Sequence, residues 1–179
     1  ELKLMVLGLD NAGKTSILKR ISMGDLEENR KPDVCPTYGF NISSYELDGV
    51  TLNVWDIGGQ KIFRSFWGTY IDSSDGVIFV IDSADEKYLE DAGYALMEIL
   101  EDEQLDGVPL LILANKSDFT NSLDPEEVTF VLIYQIQDIL SLDEISDREW
   151  TIQSSSALTG EGIHEGFKWL VETIKKDKK

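Results

Sequence analysis

Apolar runs and helical stripes alternate along almost the whole of this chain. Leu2 to Leu7 is apolar at nearly every position, the pattern of a strand buried on both faces of a parallel sheet. Ile17, Leu18 and Ile21 then recur at helical spacing, with a stop near Gly24. Phe40 to Leu47 and Val50 to Trp55 read as two strands, and the Asp48-Gly49 pair between them is a strong hairpin signal. Gly76 to Asp82 is another buried strand. Leu89, Ala92, Leu96, Ile99 and Leu100 fall on one face of a helix whose other side is acidic. Pro109 to Ala114 gives a further strand. Asp124-Pro125 supplies an N-cap and first-turn pair for a helix through Val128, Leu132 and Ile136. Trp150 to Ser154 is the last strand, and Ile163, Phe167, Leu170 and Ile174 form a closing helical stripe whose terminal lysines complement the helix dipole. The alternation predicts an α/β fold: a mostly parallel six-stranded sheet with one antiparallel strand, helices on both faces, and a ligand at the carboxyl ends of the strands.

Composition narrows the partners. The 179 residues predict a single domain spanning 1–179, long enough for a real core. Acidic residues outnumber basic ones 34 to 16, a net charge of −18, which argues against nucleic acid. Cys35 is the only cysteine, so there is no internal disulfide, as in a reducing, cytoplasmic compartment. No apolar run approaches the roughly 18 residues of a membrane span, and no signal peptide is visible. The chain starts at Glu1 without methionine, which leaves open a preceding segment carrying a lipid or helix anchor and peripheral membrane contact.

Against that acidic background, the stretch Gly8-Leu9-Asp10-Asn11-Ala12-Gly13-Lys14-Thr15 stands out. It reads G-x-x-x-x-G-K-T between a strand and a helix. Glycines at Gly8 and Gly13 let the backbone curl until consecutive N–H groups converge on phosphate oxygens. Lys14 can bridge the outer phosphates and Thr15 can offer its hydroxyl to Mg²⁺. The opening helix adds the positive end of its dipole, so Gly8 and Asp10 through Ser16 are the expected phosphate contacts. The alternative is a chance glycine-rich turn, which the flanking strand and helix disfavour.

The other motifs follow strands too, and should gather on the same edge. Asp25 to Pro36 has the composition of an exposed loop ending in Pro36-Thr37-Tyr38-Gly39, where Thr37 could fold over a γ-phosphate and complete a Mg²⁺ shell. Asp56-Ile57-Gly58-Gly59-Gln60 places an acidic residue one strand from the phosphate loop, where it can act on Mg²⁺ through water. Gly59 can lend an N–H to the γ-phosphate, and Gln60 can orient a water. In Asn115-Lys116-Ser117-Asp118, the Asp118 carboxylate can accept from N1–H and the exocyclic amine of guanine, a donor pair adenine lacks. Asn115 can brace the loop, Lys116 can lay its stem along the base, and the N–H groups of Ser156 and Ala157 can reach the guanine O6. His164 reads as an exposed helix residue without a chemical part.

Taken together, Gly-Leu-Asp-Asn-Ala-Gly-Lys-Thr (8–15), Pro-Thr-x-Gly-Phe-Asn (36–41), Val-Trp-Asp-Ile-Gly-Gly-Gln (54–60), Ala-Asn-Lys-x-Asp (114–118) and Ser-Ala-Leu-Thr-Gly-Glu-Gly (156–162) resemble the Arf-like small GTPases from Glu1 to Lys175. The last motif, with Ile57, is similar to the ADP-ribosylation factor-like proteins two and three. The resemblance implies the P-loop small-GTPase fold, a GTP/GDP switch with Thr37 on Mg²⁺, and a role in membrane or lipidated-cargo trafficking. It also implies an amphipathic N-terminal helix that this sequence does not include, and an exposed patch of Phe40, Trp55 and Tyr70 for effector proteins, alongside a GTPase-activating protein and an exchange factor. Three stretches depart from the family: the longer Asp25–Pro36 segment, Lys61 to Trp67 after Gln60, and an extended Asp124–Arg148 region.

The expected activity is hydrolysis of GTP by a monomer, slow when unaided, with Gln60 placing water and Lys14 offsetting charge. Arg20, Arg30, Arg64 and Arg148 are scattered, and none is a candidate to be aimed at the site in cis. The same scatter disfavours a P-loop kinase, which would need grouped arginines for a second phosphorylated substrate. A GTP-binding adaptor that neither hydrolyses nor cycles is the other alternative.

Overall fold

The computed structural model describes residues 1–23, 37–119 and 134–178. Six strands, β1 (Leu2–Leu7), β2 (Phe40–Leu47), β3 (Val50–Ile57), β4 (Gly76–Asp82), β5 (Leu110–Asn115) and β6 (Trp150–Ser154), form one sheet in the order β2-β3-β1-β4-β5-β6. Only β2 runs antiparallel, against β3, and every other pairing is parallel. That is the expected sheet. The β2–β3 turn has Asp48 at φ 48° and Gly49 at φ 74°, and Leu47 pairs with Val50, so a two-residue turn with both residues in the left-handed region sets the hairpin register.

The alternation of side chains along the strands divides the core in two. Met5, Leu7, Phe79, Ile81, Ile112 and Ala114 face one side, where Leu89, Ala92, Leu96 and Ile99 of α4 (Glu86–Leu100) cover them. Leu4, Val6, Ile78, Val80, Leu111 and Leu113 face the other, under Ile17 and Leu18 of α1 (Lys14–Met23) and Ile163, Phe167, Leu170 and Ile174 of α6 (Ile163–Asp177). The stripes read from the sequence are therefore the surfaces that pack. Strands apolar on both faces need cover on both, which is why β1, β4 and β5 carry almost no polar residue.

Differences from the expected elements are local. β3 continues through Asp56 and Ile57, since Asp56 stays in register with both Asn41 and Val6. The periodicity gave no sign of α2 (Lys61–Arg64) and α3 (Trp67–Tyr70), which are only four residues each. The Asp25–Pro36 loop, Gly24, Arg30, Cys35 and the start of the helix from Asp124 lie outside the described residues. Within α5 (residues 134–139), Ile136 is buried as its place in that stripe required.

Candidate functional site

The carboxyl ends of β1, β3, β4 and β5 converge with their loops on one edge of the sheet. Gly8 and Gly13 have φ of 143° and 97°, conformations open to glycine, and a Cβ at Gly13 would lie 2.2 Å from the Asn115 amide nitrogen. The loop thus closes against the 115–118 segment, and Ile17 N–H bonds the Gly13 carbonyl at 2.9 Å to start α1. Lys14 is buried and donates to the carbonyls of Gly8 (3.0 Å) and Leu9 (2.9 Å). Burial lowers its pKa to about 8 against the pull of Asp56 and Asp10, with Arg64 lowering it a little further. An ammonium held under such strain gains from any anion that arrives. Asp10 and Asn11 are exposed at the loop's lip, Ala12 is buried beneath it, and Ser16 is half-buried beside Thr15.

Thr15, Thr37 and Asp56 come from three separate segments and meet at one point. Thr15 Oγ1 lies 2.8 Å from Thr37 Oγ1 and donates to Asp56 Oδ2 at 2.6 Å, while Thr37 Oγ1 reaches the same oxygen at 3.4 Å. Burial pushes the Asp56 carboxyl above the usual carboxylate range, opposed by the Thr15 bond, by Lys14 and by the Thr37 bond. Its other oxygen, Oδ1, is buried with no hydrogen-bond partner among the described residues. A buried carboxylate oxygen left so is costly, and two hydroxyls with a carboxylate make an all-oxygen donor set. These residues therefore fit Mg²⁺, a hard cation that keeps part of its water shell.

Gly58, Gly59 and Gln60 close the site from the β3 side. Gly58 N–H donates to the Gly39 carbonyl at 2.8 Å, so the segment carrying Thr37 and the segment carrying Gln60 hold each other. A Cβ on Gly59 would stand 2.4 Å from the Gly8 carbonyl oxygen and 2.5 Å from Lys14 Nζ, so only glycine can sit this close to the phosphate loop. Gln60 is half-buried immediately before α2, and its carbonyl accepts from Phe63 N–H. Two supports were not foreseen. The buried Trp67 donates its indole N–H to the Gly58 carbonyl at 3.1 Å, with its ring edge-on to Phe79. Arg64 lies close by: its Nε donates to the Gly59 carbonyl at 3.3 Å, and it lines a cavity of about 280 Å³ with Asp10 and Asn11. It is spent on a backbone carbonyl rather than directed at a phosphate.

The segment from β5 and the loop after β6 form the second half. Asn115 is 1% exposed; its Nδ2 donates to the Ala12 carbonyl at 2.9 Å and its Oδ1 accepts from Ala157 N–H at 3.0 Å, so one amide ties three loops together. Lys116 has φ 67° and is half-buried. Asp118 Oδ1 accepts from Ser156 Oγ at 2.6 Å, which fixes the carboxylate while its other oxygen stays available. Arg20, from α1, donates to the Thr159 carbonyl at 2.9 Å and steadies the same loop.

Phe40, Trp55 and Tyr70 stack as one cluster, with ring centroids 4.9 to 6.2 Å apart. Phe40 is 42% exposed, whereas Trp55 and Tyr70 are half-buried against the core. Lys3 supports them from below, 4.8 Å over the Trp55 ring and bonded to the Tyr70 carbonyl at 3.0 Å. The surface is a partly exposed aromatic ledge. His164 is exposed on α6 as expected. A larger surface cavity, about 460 Å³, lies between Tyr45–Asp48 at the tip of the β2–β3 hairpin and α6, remote from the phosphate loop.

A glycine-bounded loop before α1, an all-oxygen point beside it and the Asp118 carboxylate share one sheet edge, the arrangement of a small GTPase using GTP, GDP and Mg²⁺. Residues 1–174 match the ADP-ribosylation factor family. The chain belongs to that family. It is 45% identical over 175 residues to the ADP-ribosylation factor-like protein 3 of Chlamydomonas reinhardtii, covering 98% of this chain and 92% of that protein. It is 42% identical over 176 residues to the ADP-ribosylation factor-like protein 2 of Drosophila melanogaster, covering 98% and 89%. A solved structure of the Arl6 BBS3 small GTPase from Trypanosoma brucei, with the bound nucleotide analogue GppNp, superposes with a TM-score of 0.76 at 34% identity and 98% coverage of both chains. Like the family, this chain hydrolyses GTP to GDP and phosphate and is of a kind that binds effectors, activating proteins and exchange factors. Among the described residues no helix is long and apolar enough to cross a membrane.

Proposed function

We propose that this chain is a slow GTPase switch, one domain and monomeric, whose γ-phosphate holds the Thr37 and Gly59 segments in place and so presents the aromatic ledge to effector proteins. The observation that carries the reading is the meeting of Thr15, Thr37 and Asp56, together with the Gly58 to Gly39 bond that joins both segments. Loss of the γ-phosphate removes the ligand that both segments share, and they release together.

In the proposed reaction, Gln60 orients a water for in-line attack on the γ-phosphorus. The new O–P bond forms as the bond to the β–γ bridging oxygen breaks, giving GDP and phosphate. Lys14 and the N–H groups of Gly8 to Ser16 grip the phosphates, and Gly59 N–H holds a γ-oxygen. Thr15 and Thr37 would hold Mg²⁺ directly and Asp56 would do so through water; when bound, the ion neutralises charge on the phosphate oxygens. Asp118 reads the guanine edge, Ser156 and Ala157 donate to O6, Asn115 braces the loops, and the Lys116 stem lies along the base. Arg64 is held on the Gly59 carbonyl, so unaided hydrolysis is slow and an arginine from an activating protein adds about 10³–10⁵-fold.

The net charge of −18 favours protein partners over nucleic acid. Family membership supports a role in cytoplasmic membrane or lipidated-cargo trafficking, with peripheral membrane contact. The decisive experiment is single-turnover phosphate release from preloaded GTP. Gln60→Leu should retain GTP and lose hydrolysis; equal rates in both proteins would take Gln60 out of the mechanism, and no release from either would favour a permanent GTP adaptor.

A further inference from the structure

We infer that Asp82, the last residue of β4, is a positioning residue for guanine nucleotide: it holds Lys116 so that the lysine stem is laid out for the base before nucleotide arrives. The inference rests on the proposed placement of that stem along the base plane. Asp82 Oδ2 accepts from Lys116 Nζ at 2.6 Å, and Oδ1 accepts from Ala84 N–H at 3.0 Å, which fixes the carboxylate on its own turn. In the β4–β5 register Asp82 pairs with Asn115, so the carboxylate leaves its strand beside the segment that reads the base. Ser83, 4% exposed, donates both its N–H (3.0 Å) and its hydroxyl (2.6 Å) to the Asn115 carbonyl. Asp82 and Ser83, at the end of β4, therefore hold Lys116 and Asn115, at the end of β5.

Two physical consequences follow for the ligand. A lysine stem has several rotatable bonds, and fixing them on binding costs affinity; here the ordering is completed when the chain folds. The pair is partly solvated, with side-chain exposures of 23% for Lys116 and 19% for Asp82, so its value to the fold is small and its value lies in preorganisation. Pairing also neutralises Lys116. It then offers the base a hydrocarbon surface, leaving Lys14 as the cation for the phosphates.

Dissociation of a fluorescent GDP from the full chain with Mg²⁺ tests this in the wild type, Asp82→Asn, Asp82→Glu, Lys116→Met and the double variant Asp82→Asn with Lys116→Met. Asp82→Asn should shorten residence about tenfold for GDP and GTP alike, with the split falling on residence rather than on hydrolysis of bound GTP. It should add nothing to Lys116→Met, and Asp82→Glu should recover part of the loss. Wild-type residence in Asp82→Asn, or effects that multiply in the double variant, would overturn the inference. Should Asp82→Asn lose its melting transition, the salt dependence of residence decides: a steeper fall with salt in wild type than in Lys116→Met supports the pair, and equal slopes overturn it. A wild-type chain that retained no guanine nucleotide would instead end the reading on which the inference stands.

Discussion

Gly59→Ala isolates the contact by which, in the proposed switch, the site senses the terminal phosphate. In the closed arrangement an added Cβ would stand 2.4 Å from the Gly8 carbonyl oxygen, 2.5 Å from the Leu9 carbonyl carbon and 2.5 Å from Lys14 Nζ. The lysine end can swing away, but the other two are backbone atoms of the phosphate loop. Ordinary contact with them needs a retreat of about 1 Å. That retreat would draw the Gly59 N–H off its proposed γ-oxygen and strain the Gly58 bonds to Gly39 (2.8 Å) and Trp67 (3.1 Å). Losing one hydrogen bond to a charged group costs about 1.5–3 kcal/mol, or roughly 10- to 150-fold. The loss should fall on GTP, because GDP makes no use of that N–H. Calorimetric titration of GDP and of a non-hydrolysable GTP analogue gives the ratio directly, with Trp55 and Trp67 fluorescence reporting closure. A variant that melts like the wild type and keeps its GTP-over-GDP preference would refute the argument that this close approach is what senses the phosphate.

Asn115→Ala would orphan the Ala12 carbonyl and the Ala157 N–H together; at about 1–3 kcal/mol each, GDP and GTP retention should fall alike and stability should drop, as read by filter retention and urea unfolding. Chelating Mg²⁺ should speed release of labelled GDP, and Thr15→Ala should blunt that response, since Thr15 would supply one of the ion's oxygens. Arg148→Ala gives the contrast. Its side chain is 2% exposed and donates to the Leu100 carbonyl at the end of α4 (3.4 Å) and to the Leu105 carbonyl just beyond it (2.8 Å), so a loss of about 1–3 kcal/mol in unfolding with unchanged nucleotide release is expected.

The parts of this molecule that could be read from the sequence are those whose cause is local. Leu2–Leu7 announces a strand because both its faces are buried, and Gly8 and Gly13 announce the phosphate loop because only glycine takes those backbone angles. The Asp48-Gly49 hairpin is legible for the same reason. What escaped was chosen by neighbours far along the chain. Ser83 is buried because Asn115, 32 residues later, offers it a carbonyl, and no pattern around Ser83 carries that information. Trp67 looks like one more aromatic until Phe79 and the Gly58 carbonyl surround it. Arg64 is one of several scattered arginines in the sequence, and only the four-residue helix after Gln60 brings it back onto Gly59.

This division has a functional logic. The locally encoded pieces hold phosphate and base, chemistry that must be ready in either nucleotide state. The contacts at distance, Gly39 with Gly58, Thr37 with Asp56 and Trp67 with Gly58, join segments that need not stay joined. Each is a single hydrogen bond, worth about 0.5–1.5 kcal/mol net, or about 1.5–3 where the partner is charged, and that of Gly39 with Gly58 lies at the end of the β2–β3 ladder, where Phe40 pairs with Ile57. Such contacts can give way on loss of the γ-phosphate only if they are few and individually weak, and the proposed switch requires that balance. On the proposed switch, long-range supports around a firmly encoded pocket are therefore where the two states are decided, and where a motif search has least to say.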